Sequence, residues 1–320
     1  MASDILSIGG APIFDNRIVR IETHTYNPYA NTTFGYSDEI RIPIQQQDLY
    51  ERDRALQNTG WEIPPVALDD FNFCVPLNVL LGFCEDYKRI VINARHELIL
   101  IRACNDNNCV VAHSDQRPKI TLLRIQWRMP HVILNDVNKL SLLRTLDSRR
   151  YLSIGFRSWD LYEFSLLQST TKHSWVVKAA TQLEKSRYVI FALQTGRKNI
   201  PSEDVSKFDD CKLTNVKLYL NSEFYPYDDM NLDFEHNKFA MLYDMYLKFR
   251  KTYYGCETCE PFMTVTRFLQ YGPLVVIDCS LQNKSIKSAT VDVRIEFECK
   301  ENVPANTTAY CLIIHDRVRI

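Results

Sequence analysis

The stretch "NVKLYLNSEFYPYDDMNLDF", residues 215–234, can be a strand running into a turn and a helix, or the floor of a binding site. Up to Asn221 it alternates. Val216, Leu218 and Leu220 stand against Lys217, Tyr219 and Asn221, the two-residue period of a half-buried strand. Pro226 breaks that strand, and Asp228, Asp229 and Asp233 follow. Asn231 or Asp233 is placed to cap the helical segment beyond, where negative charge suits the positive end of the dipole. Taken the other way, Tyr219, Phe224, Tyr225 and Tyr227 are aromatic platforms beside Glu223, Asp228 and Asp229. A glycosidase needs two such carboxylates roughly 5–10 Å apart across a cleft. Adjacent side chains like Asp228 and Asp229 commonly diverge, so strand, turn and helix account for the stretch more simply.

The same period recurs along the chain. "EIRIPI" (39–44) alternates, and "RIVRIETHTY" (17–26), "HELILIRAC" (96–104), "PLVVIDCS" (273–280) and "ATVDVRIEFEC" (289–299) are strand-like. "KRIVINA" (88–94), "PKITLLRIQWRM" (118–129), "YLSIGFRSWDLYEFSLL" (151–167), "HSWVVKAATQ" (173–182) and "TTAYCLIIHDRVRI" (307–320) add to the count. "RYVIFALQTG" (187–196) is a nearly continuous apolar run. Helices are few. "NDVNKLSLLRTLDSRR" (135–150) sets Val137, Leu140, Leu143 and Leu146 at three-residue steps, with Asn135 or Asp136 as N-cap. "NKFAMLYDMYLKFRKTYYG" (237–255) carries the stripe Phe239, Leu242, Tyr246, Phe249 and Tyr253, with Gly255 placed to stop it. Many short strands with helices in long connections predict antiparallel sandwiches, in two β-domains that meet near 110–130.

Composition agrees. The chain has 320 residues, 46% of them apolar, with 17 Tyr and only 9 Gly, which favours pleated, half-buried surfaces. The formal charge of −1 is no footprint of a nucleic-acid binder, and direct nucleic-acid binding is not expected. No apolar run reaches the ~18 residues of a membrane span, and the first twenty residues lack the basic start and apolar centre of a secretory signal. The expected compartment is therefore intracellular, with the ten cysteines reduced and mostly buried.

Catalytic signatures are missing. There is no G-x-S-x-G, H-E-x-x-H, P-loop or G-x-G-x-x-G, and the seven histidines are scattered, with His173 and His315 in strand patterns. Cys256-Glu-Thr-Cys259 is a single C-x-x-C after a helix, without a second pair at zinc-site spacing. The expectation is a protein without catalytic residues, cofactor, metal or small-molecule substrate.

Several long segments resemble one family. "FNFCVPLNVLLGFCEDYKRIVINARHELILIRA" (71–103), "WRMPHV" (127–132), "FRSWDLYEF" (156–164) and "RYVIFALQTGRKN" (187–199) are similar to the double jelly-roll-like domain proteins of arthropod and other invertebrate genomes. So are residues 215–234 and "ENVPANTTAYCLIIHDR" (301–317). The resemblance implies a double jelly roll, two antiparallel β-sandwiches side by side, as in major capsid proteins of double-stranded DNA viruses and Polinton- or adintovirus-like elements. It implies self-association into homotrimeric capsomers, other capsid subunits as partners, and a virion location where assembly occurs. Residues 237–255 and 261–271 would be an insertion between strands, with Tyr243, Tyr253 and Tyr254 as a candidate subunit contact.

One departure stands out. After "IPIQQQDLY" (42–50) the chain runs into the polar "ERDRALQNTGWEIPP", and only about six strands precede residue 130 where a complete roll has eight. The expectation is an N-terminal roll over about 1–115, shortened near 50/51, and a complete C-terminal roll over about 116–320. Two alternatives stay open: a carbohydrate- or surface-binding sandwich, or a glycoside hydrolase, using Tyr225, Tyr227, Asp228 and Asp229, and a domesticated host protein that keeps the fold without assembling.

Overall fold

A computed structural model of the chain describes residues 17–29, 33–44, 50–51, 74–87, 91, 95–109, 119–148, 153–181, 186–221, 223–255, 263–280 and 291–319. The chain divides into two compact units: Met1–Asp106 with Lys119–Arg157 and Val318–Ile320, and Asn107–Pro118 with Ser158–Arg317. The division differs from the single cut after residue 115 read from sequence, because the strand at Trp127–Leu134 pairs with strands near the start of the chain.

The second unit holds β6 (Ile154–Phe164), β7 (Lys172–Thr181), β8 (Ser186–Thr195), β9 (Leu213–Leu220), β10 (Glu223–Tyr225), β11 (Val275–Asp278), β12 (Val291–Cys299) and β13 (Thr307–Arg319). Two four-stranded sheets result, in the orders β11-β8-β13-β6 and β10-β9-β12-β7. Numbered within the unit, the first strand lies beside the eighth, the second beside the seventh, the third beside the sixth and the fourth beside the fifth. That nesting is a long antiparallel hairpin rolled up on itself, the jelly-roll order.

Side-chain period explains the core between these sheets. Val216, Leu218 and Leu220 of β9 and Val293, Ile295 and Phe297 of β12 point inward, and Tyr219, Arg294 and Glu296 point out. From the other sheet come Val189, Phe191 and Leu193 of β8, Val275 and Ile277 of β11, and Ala309, Cys311 and Ile313 of β13. The apolar run of β8 has its cause in a third layer. Helix α3 (Ala240–Tyr254) brings Phe249 and Tyr253 onto the outward face of this sheet, over Tyr188, Ile190, Val276 and Ile314. Both faces of β8 are thus dry, so neither can alternate with polar residues.

The first unit holds β1 (Ile18–Tyr26), β2 (Glu39–Pro43), β3 (Tyr50–Glu51), β4 (Glu97–Ile101), β5 (Trp127–Leu134), helices α1 (Gly82–Asp86) and α2 (Asp136–Asp147), and a 3-10 turn at Leu77–Val79. Its sheets are β1-β5-β3 and β2-β4. Tyr26, Trp127 and Met129 of one meet Ile40, Ile42 and Leu98 of the other. Set against the second unit, these five strands occupy the first, eighth, third, second and seventh places of a roll. The fourth, fifth and sixth places would fall within residues 52–96, whose described part contains the 3-10 turn and α1. "KRIVINA" lies, except for Val91, outside the described residues.

Polar clasps hold the first unit's connections. The Arg102 guanidinium donates to the Ile120 carbonyl (2.7 Å), to the Phe34 carbonyl and to the Asp106 carboxylate (3.1 Å), and stacks on the Tyr36 ring at 4.6 Å. Asp106 also accepts from the Tyr36 hydroxyl (2.8 Å) and the Ile120 N–H (2.9 Å). Burial on its own would raise this carboxyl, but the Ile120, Tyr36 and Arg102 donors outweigh it and hold Asp106 below its ordinary value. A second clasp lies within the same unit, which includes Arg157: Asp86 of α1 accepts from the Arg157 N–H (2.7 Å) and pairs with its guanidinium.

Candidate functional site

The acidic turn is braced from β9. Asn215, Lys217 and Tyr219 share the outward face of that strand, one every second residue. The Lys217 ammonium donates to the carbonyls of Pro226 (3.0 Å) and Tyr227 (3.1 Å) and pairs with Asp229 at 3.1 Å. The Asn215 amide donates to Asp229 (3.0 Å), and its oxygen accepts from the Met230 N–H (3.2 Å). Lys217, and then Asn215, hold the Asp229 carboxyl below its ordinary value. Met230 and Leu232 then enter the core.

The four residues singled out from sequence are brought to one turn but not to one role. Tyr225 is buried, with its hydroxyl donating to Glu223 (2.8 Å); burial, and then that carboxylate, push the phenol well above its ordinary value. Tyr227 projects outward and is 70% exposed. Asp229 is held as an ionised strut, and Asp228 is exposed, with no hydrogen bond to another described residue. The rings form a staircase: Tyr219 to Phe224 and Phe224 to Tyr227 are each 5.9 Å apart, tilted by 43° and 65°. Arg294 lies over Tyr219 at 4.4 Å and Lys217 over Phe224 at 5.2 Å, so the chain's own cations use those faces. The residues missed in the sequence are Asn215 and Lys217, although their two-residue step from Tyr219 was the signal.

Capping differs from expectation. Asp233 does not cap α3. It closes its own turn, exchanging backbone bonds with Lys238 (3.1 and 2.7 Å) and accepting from the His236 N–H (3.2 Å). The helix begins at Ala240 with Phe239 at its N-cap and no side-chain cap bond, so Asn231 has no capping part either. Gly255 does stop the helix, in the left-handed conformation at φ 63°.

Between β10 and β11 the chain inserts α3 and α4 (Val265–Tyr271), the latter capped by Thr264. Of the three tyrosines named as a subunit contact, Tyr253 is buried and accepts from the Trp159 indole N–H (3.2 Å). Tyr243 donates to the Met263 carbonyl (3.0 Å) and packs on Phe268. Tyr254 is 58% exposed, beside Arg250.

The cysteines are more mixed than expected. Cys279, Cys299 and Cys311 are buried, and Cys74, Cys104 and Cys109 are exposed. Burial pushes the Cys211 thiol up to about 11 and those of Cys299 and Cys311 to about 12, away from thiolate chemistry. Cys256 and Cys259 lie outside the described residues. Among the described residues, no cluster of three or more His, Cys, Asp or Glu could hold a metal ion, and no helix is long and apolar enough to cross a membrane.

No curated protein matches the chain. Among solved structures it is similar to the Vp54 protein of PBCV-1, fitted into a reconstruction of the virophage Sputnik, with 8% identity, 96% of each chain covered and a TM-score of 0.43. It is similar to the mavirus major capsid protein at 8% identity, covering 99% of this chain and 90% of that one, with a TM-score of 0.39. The major capsid protein P2 of bacteriophage PM2 gives 9% identity, 94% and 98% coverage, and a TM-score of 0.30. Residues 47–319 match the double jelly roll-like domain, which spans both units. The chain therefore belongs to the double jelly roll-like domain family.

Proposed function

We propose that this chain is a structural, capsid-like protein of an endogenous virus-like element, and that it acts by self-association into trimeric capsomers and from these into a shell. The observation that carries this is the recurrence of one strand order in both units: first beside eighth beside third, and second beside seventh. A chain with two like rolls offers six like modules when three copies surround an axis, which is a means of building pseudo-hexagonal tiles. Its partners are then itself and other capsid subunits, and its location is the virion. Tyr254, the most exposed of the three insertion tyrosines, is the leading candidate for a contact between copies.

Light scattering of the purified full chain, with electron microscopy of the same fractions, tests the proposal. Trimers or closed particles are expected. A monodisperse monomer at high concentration would overturn it. One observation favours a second role, sugar binding at the 223–229 turn: Tyr227 stands 70% exposed beside the acidic pair. A glycan array with hits lost in Asp228→Ala and Asp229→Ala would support that role, and an array without hits would dismiss it.

A further inference from the structure

Helix α2 turns its apolar stripe outward. Val137 is 76% exposed, Leu140 55% and Leu143 43%, whereas Leu142 is the buried residue on the helix. Flanking Leu142 on the covered side are Asn138, Ser141 and Thr145. A surface helix ordinarily does the reverse. Three large apolar side chains in one row form a patch of the kind that marks an interaction site.

The patch has an internal symmetry. At 100° per residue, Asp136, Val137, Leu140, Leu143 and Arg144 fall within an arc of about 120° centred on Leu140. Along the axis, Val137 and Leu143 stand about 4.5 Å to either side of Leu140, and Asp136 and Arg144 about 6 Å. Asp136 and Arg144 make no ion pair with any other described residue.

We infer that a second copy of this chain covers this face, with the two α2 helices antiparallel about a two-fold axis through Leu140. Leu140 then meets Leu140, Val137 stands level with Leu143, and Asp136 stands level with Arg144 on both sides of the axis. A parallel pair would set Asp136 level with Asp136 and Arg144 with Arg144, so charge selects the antiparallel arrangement. Asp147, farther along the same face, falls beyond the partner helix's first turn.

Such a contact is isologous, whereas a three-fold ring closes through heterologous contacts. It is therefore separate from any contact within a trimer and joins one oligomer to the next. The inference rests on the proposed self-association only in taking another copy as the occupant. Three apolar residues a side make less than a standard interface, so the contact is weak between free chains and gains from repetition in an assembly.

The test is oxidative cross-linking of full-length Leu140→Cys, with the linked peptides identified by mass spectrometry to separate them from links through the native cysteines. Asp147→Cys, exposed on the same helix but outside the overlap, is the comparison. The expected result is a symmetric link at position 140 in clear excess over position 147. Adding Arg144→Asp should lower its yield about tenfold, and Asp136→Arg with Arg144→Asp should restore it. Equal links at the two positions, or a yield indifferent to Arg144→Asp, overturns the contact. Light scattering of the same samples keeps the two ideas apart. Trimers without the link overturn this contact and leave the proposed function standing. Linked dimers without trimers or shells do the opposite.

Discussion

In the second unit every nested strand pair is made, from β6 beside β13 to β9 beside β10, and α3 seals the outward side of one sheet. In the first, the described residues make the outer pairs, β1 beside β5 and β2 beside β4, while the places of the inner strands fall in residues 52–96. The outer pairs define the topology, since they bring together segments more than a hundred or some sixty residues apart; Ile21 pairs with Val132, and Ile40 with Leu100. The inner hairpin enlarges the core. Both units join apolar layers to polar clasps, Arg102 with Asp106 in the first and Arg197 with Asp209 in the second, and the second has the larger apolar core.

The largest effect is expected in the unit with the larger core. Phe191 is fully buried on β8, in contact with Phe297 across the sandwich at 4.9 Å. Phe191→Ala should cost about 3–5 kcal/mol. Hydrogen exchange resolved by peptide should show protection lost across β8, β12 and β13 while β1, β2, β4 and β5 keep theirs. Equal loss in both sets would break the contrast and make the chain one cooperative unit.

Next comes the clasp. Asp106→Asn leaves the Arg102 guanidinium buried without its carboxylate and should cost about 2–3 kcal/mol, read as protection lost in β4 and the 33–38 loop. An exchange pattern like that of the wild type would show that the clasp adds nothing to the first unit's core. The same group sets an acid response. The folded value of Asp106 lies below that of the unfolded chain, so its contribution is complete above the unfolded value of about 3.9 and is lost as pH falls through the lower folded value. The stability difference between wild type and Asp106→Asn should therefore shrink as pH falls from about 4. A difference that persists unchanged in acid would count against ionised Asp106 as its source.

Smaller effects are expected at the helix ends. Asn135 accepts from the Asn138 N–H at 2.9 Å in the first unit, and Thr264 from the Arg267 N–H at 3.4 Å in the second. Asn135→Ala should cost about 1 kcal/mol and Thr264→Ala less, by denaturant melts of the two variants.

Much of the second unit was legible because its signals are local. β9 and β12 alternate in sequence as they do in space, β8 is continuously apolar because it is covered twice, and Gly255 marks the end of a helix whose stripe faces inward. Where the pattern was local but its consequence was not, the sequence misled. "PKITLLRIQWRM" reads as a strand, yet 119–126 join no ladder among the described residues; pairing begins at Trp127, opposite Tyr26 of β1, and β3 joins at His131 and Val132. The stripe of α2 was visible, but nothing in a periodicity says which side of a helix meets the core. The nested order left no trace in any window, since each pairing is decided by a segment far away. At the 223–229 turn, the aromatic and acidic residues drew attention, while the braces at Asn215 and Lys217 looked like ordinary outward strand positions.

The place of β13 beside both β6 and β8 bears on how the second unit comes into being. Loop closure must precede the reward of a long-range pair, and here the third strand has the eighth as a neighbour. During synthesis, β8 therefore emerges with its hydrogen-bonding edge toward β13 unpaired, and the core lacks Ala309, Cys311 and Ile313 until residues 307–319 are made. Earlier hairpins such as β9–β10 can form at once, but the roll locks late. Ribosome-bound chains ending before residue 307 should thus be open to proteases and chaperones, and folding of this unit should be paced by the arrival of its final strand.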